Sequence, residues 1–151
     1  MNIEQQVASL ELSKRLRELG LKQESYFLWI IADHPNESSG KPCVQHRGGL
    51  ESNYNKTPVH DGWTLTSYSA FSVAELGEML PDKIRYGTLQ CAKENHTYIL
   101  SYFEQEDFTE IPSKNFICHD GNEANARAQL LITLIENDLI TPEWREKWVE
   151  K

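Results

Sequence analysis

Two tripeptides carry side chains that could do chemistry together. His60-Asp61-Gly62 and His119-Asp120-Gly121 each set an imidazole beside a carboxylate, and the second directly follows Cys118. Imidazole, carboxylate and thiolate are the groups that hold divalent metals, and an Asp can orient a neighbouring ligand. If the two pairs converged, His60, Asp61, His119 and Asp120 would be the ligands of a small metal-dependent hydrolase or nuclease. The competing reading is local. Asp-Gly is first a turn signal, and Asp120-Gly121-Asn122 precedes a helical pattern, where Asp or Asn serves as a cap. The local reading takes precedence. No cofactor is expected, and a divalent metal belongs only to the alternative.

Other groups point the same way. Cys91 with His96 or His119 would make a nucleophile and base, but Cys91 alternates with apolar residues and reads as a small buried hydrophobe. The acidic run 104–110 lacks the central Gly and terminal Glu of a calcium loop and reads as solvated. No nucleophile elbow, phosphate-binding glycine loop, dinucleotide fingerprint or HExxH is present. Trp144 and Trp148 lie one turn apart near the end of the chain, where core closure is favoured over docking. Trp63 and Tyr54, beside and within a long polar segment, are the better candidates for contacting a partner.

The elements that must position these groups follow from periodicity and caps. Leu12, Leu16 and Leu19 predict a helix, with Ser9 as its N-cap, Gly20 as its stop and Glu11 spaced to pair with Arg15. The apolar run 26–32 predicts a strand buried on both faces. Residues 34–62 are polar and rich in Gly, Pro, Asn and Ser; they predict a long loop, with room for a short strand at 43–46 or a hairpin across Gly48-Gly49. Ser72 and Glu75 have capping-box spacing ahead of a short helix that Pro81 ends. Residues 84–105 predict a β-hairpin turning at Glu94-Asn95-His96. Ala124, Ala128, Leu131 and Ile135 predict the strongest helix, 122–136, closed by Asn137 in the left-handed conformation. Thr141-Pro142 opens a last short helix.

Helices and strands do not alternate regularly, so the predicted fold is a single α+β domain over residues 1–151. In it a small antiparallel sheet, holding the 26–32 strand and the 84–105 hairpin, packs against three to four helices. The 151 residues suit one domain. The net charge of −8 argues against electrostatic binding of nucleic acid. The longest apolar run, seven residues, falls far short of the roughly 20 that cross a bilayer. The polar first 20 residues hold no signal-peptide pattern. An odd count of three cysteines without CxxC spacing fits free thiols, and a cytoplasmic location is expected. Residues 1–60 carry seven basic and seven acidic side chains, and residues 61–151 carry eight and 16, so all the excess negative charge lies in the second segment.

Three blocks carry a resemblance: Ser9 to Gly20 followed by Lys22-Gln23-Glu24-Ser25 and the aromatic strand 26–32, then Ser69 to Pro81, and the stretch that begins Glu123 to Leu131 and ends in Leu139-Ile140. Together they resemble a set of small uncharacterised proteins common in bacteriophage, prophage and bacterial genomes. The blocks cover about two fifths of the chain and are mostly cap and helix-core positions. The resemblance implies a cytoplasmic accessory protein and brings no activity or catalytic residue with it. The expectation is a non-catalytic protein that binds a protein partner, with a host protein as the candidate and no direct contact with nucleic acid or membrane.

Overall fold

The computed structural model describes residues 3–49, 57–59, 61–84, 87–103 and 116–150. Tyr54 and His60, the 104–110 acidic run and Tyr86 of the hairpin lie outside the described residues. Within them the chain forms, in order, α1 (Leu10–Glu18), β1 (Phe27–Asp33), β2 (Cys43–His46), β3 (Thr57–Pro58), β4 (Thr64–Ser69) and α2 (Val73–Met79). Then follow β5 (Lys83–Ile84), β6 (Gly87–Glu94), β7 (Thr97–Phe103), β8 (Ile117–Asp120), α3 (Glu123–Glu136) and α4 (Pro142–Trp148). The architecture is α+β.

The strands make two antiparallel sheets of four, in the orders β2-β1-β4-β3 and β5-β6-β7-β8. This corrects the expectation that the 26–32 strand and the 84–105 hairpin share one sheet. The reason is edge occupancy: β1 is paired on one side by β2 and on the other by β4, while β7 is paired by β6 and β8. Neither interior strand has a free ladder to offer the other. Within 34–62 the short strand expected at 43–46 is present as β2, and the described residues also hold β3 and a 3-10 turn at Arg47–Gly49. That turn replaces the alternative hairpin across Gly48-Gly49.

Local chemistry sets the ends of the elements. Ser9 caps α1 through its side chain, which accepts from the Leu12 N–H, and Gly20 exits at φ +83°. Ser72 and Glu75 form the expected capping box, and Pro81 follows the close of α2. Asn95 and His96 both take positive φ, the requirement of a two-residue hairpin turn matched to strand twist. At the end of α3 the left-handed residue is Asp138 (φ +57°) rather than Asn137, which stays at φ −95°.

The larger core gathers around α3. Eight of its fourteen residues are buried, among them Ala126 and Ile132 between the expected stripe positions. Leu16, Leu76 and Leu100 bring α1, α2 and β7 into the same core. A smaller core surrounds Val7, Trp29 and Ala70, and the Trp29 indole donates to the Ala8 carbonyl at 2.8 Å. Consecutive burial of Leu28, Trp29 and Ile30 covers both faces of β1, as its sequence predicts.

Several charged and polar side chains of the helices are engaged. Lys14 and Arg17 lie over the Tyr68 ring, at 5.6 and 5.1 Å from its centroid, so the basic face of α1 packs on β4. Arg15 pairs with Glu18 at 3.1 Å and Glu136 at 2.6 Å instead of Glu11, because α1 lies against α3. Gln129 reaches the Asp120 carboxylate. The final turn of α4 is tied to the exit of α1: Lys22 N–H donates to Trp148 O at 2.9 Å and Glu150 N–H to Gly20 O at 2.8 Å.

Candidate functional site

Asp61-Gly62 stands in the turn into β4 of the first sheet, and His119-Asp120 on β8 of the second. Asp61 and Gly62 form a left-handed pair (φ +51° and +85°) in the turn that feeds β4, closed by the Val59 N–H donating to Trp63 O at 2.9 Å. His119 and Asp120 end β8. Successive strand residues point to opposite faces, and the pairings show which is which. Cys118 is opposite Leu100 and Asp120 is opposite Tyr98, on the face turned to α3, while His119 is opposite Ile99 on the other face and is exposed. His119 and Asp120 therefore do not act on one ligand, despite being adjacent in sequence.

Asp120 is occupied by its own fold. Its Oδ1 accepts from the Asn122 backbone at 2.8 Å and from Asn125 Nδ2 at 3.4 Å, and its Oδ2 accepts from Gln129 Nε2 at 3.2 Å. Asn122 in turn caps α3 by accepting from the N–H groups of Ala124 and Asn125. The local reading of Asp120-Gly121-Asn122 as the entrance to a helix describes this geometry. Among the described residues, no three His, Cys, Asp or Glu side chains stand together as a metal cluster would require.

The turn at Asp61 has a histidine partner that sequence reasoning missed, His34 at the end of β1. Its Nδ1 accepts from the Asn36 N–H at 3.2 Å, and its Nε2 lies 3.0 Å from the Asp61 carbonyl oxygen. A backbone N–H can only donate and a carbonyl only accept, so this imidazole is neutral with its proton on Nε2. It stacks beside Trp63, ring centroids 5.1 Å apart. His34 is a latch between two turns, with both nitrogens in use. The one sequence hint was its place at the end of an apolar strand before Pro35 and Asn36.

The thiols separate in the same way. Cys118 is buried, and burial pushes its thiol pKa up. Cys91 is exposed, against the expectation of a buried hydrophobe, as are most residues of β6. It sits opposite Leu100, on the other side of the sheet from His119, and so the two do not form a nucleophile and base. Cys43 is exposed on the edge strand β2.

Trp144 and Trp148 are half-buried against the larger core. Trp144 donates its indole N–H to Met79 O at 2.5 Å. With Pro81, Ile84, Leu139 and Ile140 it borders an open cleft of about 290 Å³. A smaller hollow of about 160 Å³ lies at Trp63, beside Val59, which is 57% exposed. No protein-family model matches the chain. No curated protein matches it either, and neither does any solved structure.

Proposed function

We propose that this chain is a non-catalytic accessory protein of phage or prophage type, acting by binding a protein partner, with a host protein as the expected target. What carries the reading is the use to which the chemistry-bearing groups are put. Both nitrogens of His34, both carboxylate oxygens of Asp120 and the buried Cys118 serve turns, caps and core. Catalytic groups act on a substrate with lone pairs and protons that the fold leaves available. Aromatic and apolar side chains meanwhile reach the surface around Trp63 and Trp144, and tryptophan is enriched among the residues that anchor interfaces. The phage and host assignment is supported by the sequence resemblance of the helix-core and cap blocks.

The test is capture. The purified chain, immobilised and exposed to lysate of the bacterium that encodes it, is expected to retain one protein specifically and in stoichiometric amount. Retention of nothing above the level of an unrelated acidic bait of the same size would remove the proposal.

A further inference from the structure

The last helix is held differently from the rest of the fold. α3 buries eight of its fourteen residues, whereas no residue of α4 is buried. A seven-residue helix without a buried face does not persist in water by itself, because nucleating it costs more than so few hydrogen bonds contribute. α4 therefore stays folded through its attachments, and these fall at its two ends. Near the start, the Trp144 indole donates to Met79 O, at the end of α2. At the far end the chain pairs with residues 20–22. Lys22 N–H donates to Trp148 O at 2.9 Å, Glu150 N–H donates to Gly20 O at 2.8 Å, and Lys22 Nζ donates to Lys147 O at 2.6 Å. Between these points Trp144 and Trp148 lie half-buried on the larger core. Arg145 also reaches Asp138, but Asp138 is exposed and such a pair contributes little.

The connection into α4 supplies a hinge. Ile140 is buried and belongs to the core, while the next residue, Thr141, is exposed and extended (ψ 157°), and Pro142 opens the helix. None of the attachments belongs to the ladders of either sheet or to the turns of α1, α2 and α3. Detaching α4 at Thr141 leaves those elements paired. The attachments also sit on hidden apolar residues. Met79 is buried, and so is Leu21, which bridges to Val149. The closed position of α4 therefore covers surface that an open position bares.

We infer that α4 is a strap that opens as one unit about Thr141 while the rest of the fold stays intact, baring Leu21 and Met79. The inference does not depend on the protein-binding reading. Its test is amide hydrogen exchange of the whole chain, followed by NMR under conditions where the rate reports the opening equilibrium. The amides of Val149, Lys22 and Glu150 are expected to share one opening, about a hundredfold more frequent than that of central α3 amides. Their exchange is expected to respond little to low urea, because this opening exposes little surface. Trp144→Phe removes the indole bond to Met79 O, keeps a ring in place, and lies at the opposite end of α4 from Lys22 and Glu150. It is expected to speed exchange at Lys22 and Glu150 about tenfold and to leave α3 unchanged. Wild-type Lys22 and Glu150 amides with the rate and urea response of α3 would overturn the inference, because α4 would then open only with the whole fold. An effect of Trp144→Phe confined to the first turn of α4, or one that speeds α3 equally, would overturn it as well.

Discussion

At the scale of single residues, the tautomer of His34 is the sharpest consequence of the geometry. A proton on Nε2 and a lone pair on Nδ1 satisfy two turns at once. His34→Ala removes both bonds and the stacking on Trp63, and is expected to lower stability by about 1–2 kcal/mol and shift tryptophan emission to the red. An unchanged emission spectrum would contradict the latch. Gly62 works from the other side. At φ +85° it is in the left-handed region, and a Cβ there would stand 3.0 Å from His34 Nε2, so Gly62→Ala is expected to destabilise by about 1 kcal/mol or more, measured by denaturant unfolding. The thiols give an independent check. Cys43 and Cys91 are expected to label with a thiol reagent in the folded chain, and Cys118 only after unfolding. The role of Asp120 was legible in the sequence because an Asp-Gly-Asn ahead of a helix has one strong local use. His34 was not, because its partner Asp61 is distant in sequence and is brought to it only when β1 pairs with β4.

At the scale of elements, Glu75 joins a helix to a sheet. Its carboxylate accepts from Ser72 in the capping box and also from Ser25 Oγ at 3.1 Å and the Tyr26 N–H at 2.9 Å, which fixes the start of β1 against α2. Glu75→Ala is expected to lose more than an ordinary cap, about 2 kcal/mol, with faster amide exchange at the beginning of β1 as well as in α2. A loss confined to α2 would show that the bridge contributes nothing. The capping box itself was legible from Ser72 and Glu75, as were the N-caps of α1, α3 and α4, because these caps act within one turn. The sheets were harder to read. β4 (Thr64–Ser69) carries only a modest signal in Thr64, Thr66 and Tyr68, and β8 hides behind a turn signature at Asp120-Gly121. Strand pairing is decided by which ladders remain open once others have formed, and one strand's own residues do not contain that information.

At the scale of the whole molecule, packing around α3 joins the second sheet to the helices, and buried titratable groups report on it. Burial raises the pKa of the Tyr102 hydroxyl and of the Cys118 thiol above their ordinary values of 10.0 and 9.0. Both groups keep their proton longer in the folded chain than in the unfolded one. The stability they contribute is complete below about pH 9 and is lost as pH rises through the folded values. Unfolding midpoints are expected to fall above pH 9, and Tyr102→Phe to flatten the upper part of that fall while removing the bond to Pro81. A variant with the wild-type slope would contradict the assignment. The α+β class and the central role of the 122–136 helix were legible because they rest on periodicity summed over many residues, whereas the separation into two sheets was not. The central claim, that the chain works by contact and not by chemistry, has one most direct measurement: partner capture with a chain carrying His60→Ala, His119→Ala, Cys43→Ser and Cys91→Ser together. The variant is expected to retain the same partner with unchanged stoichiometry and affinity. Loss of the partner in that variant, with the fold intact, would contradict the claim.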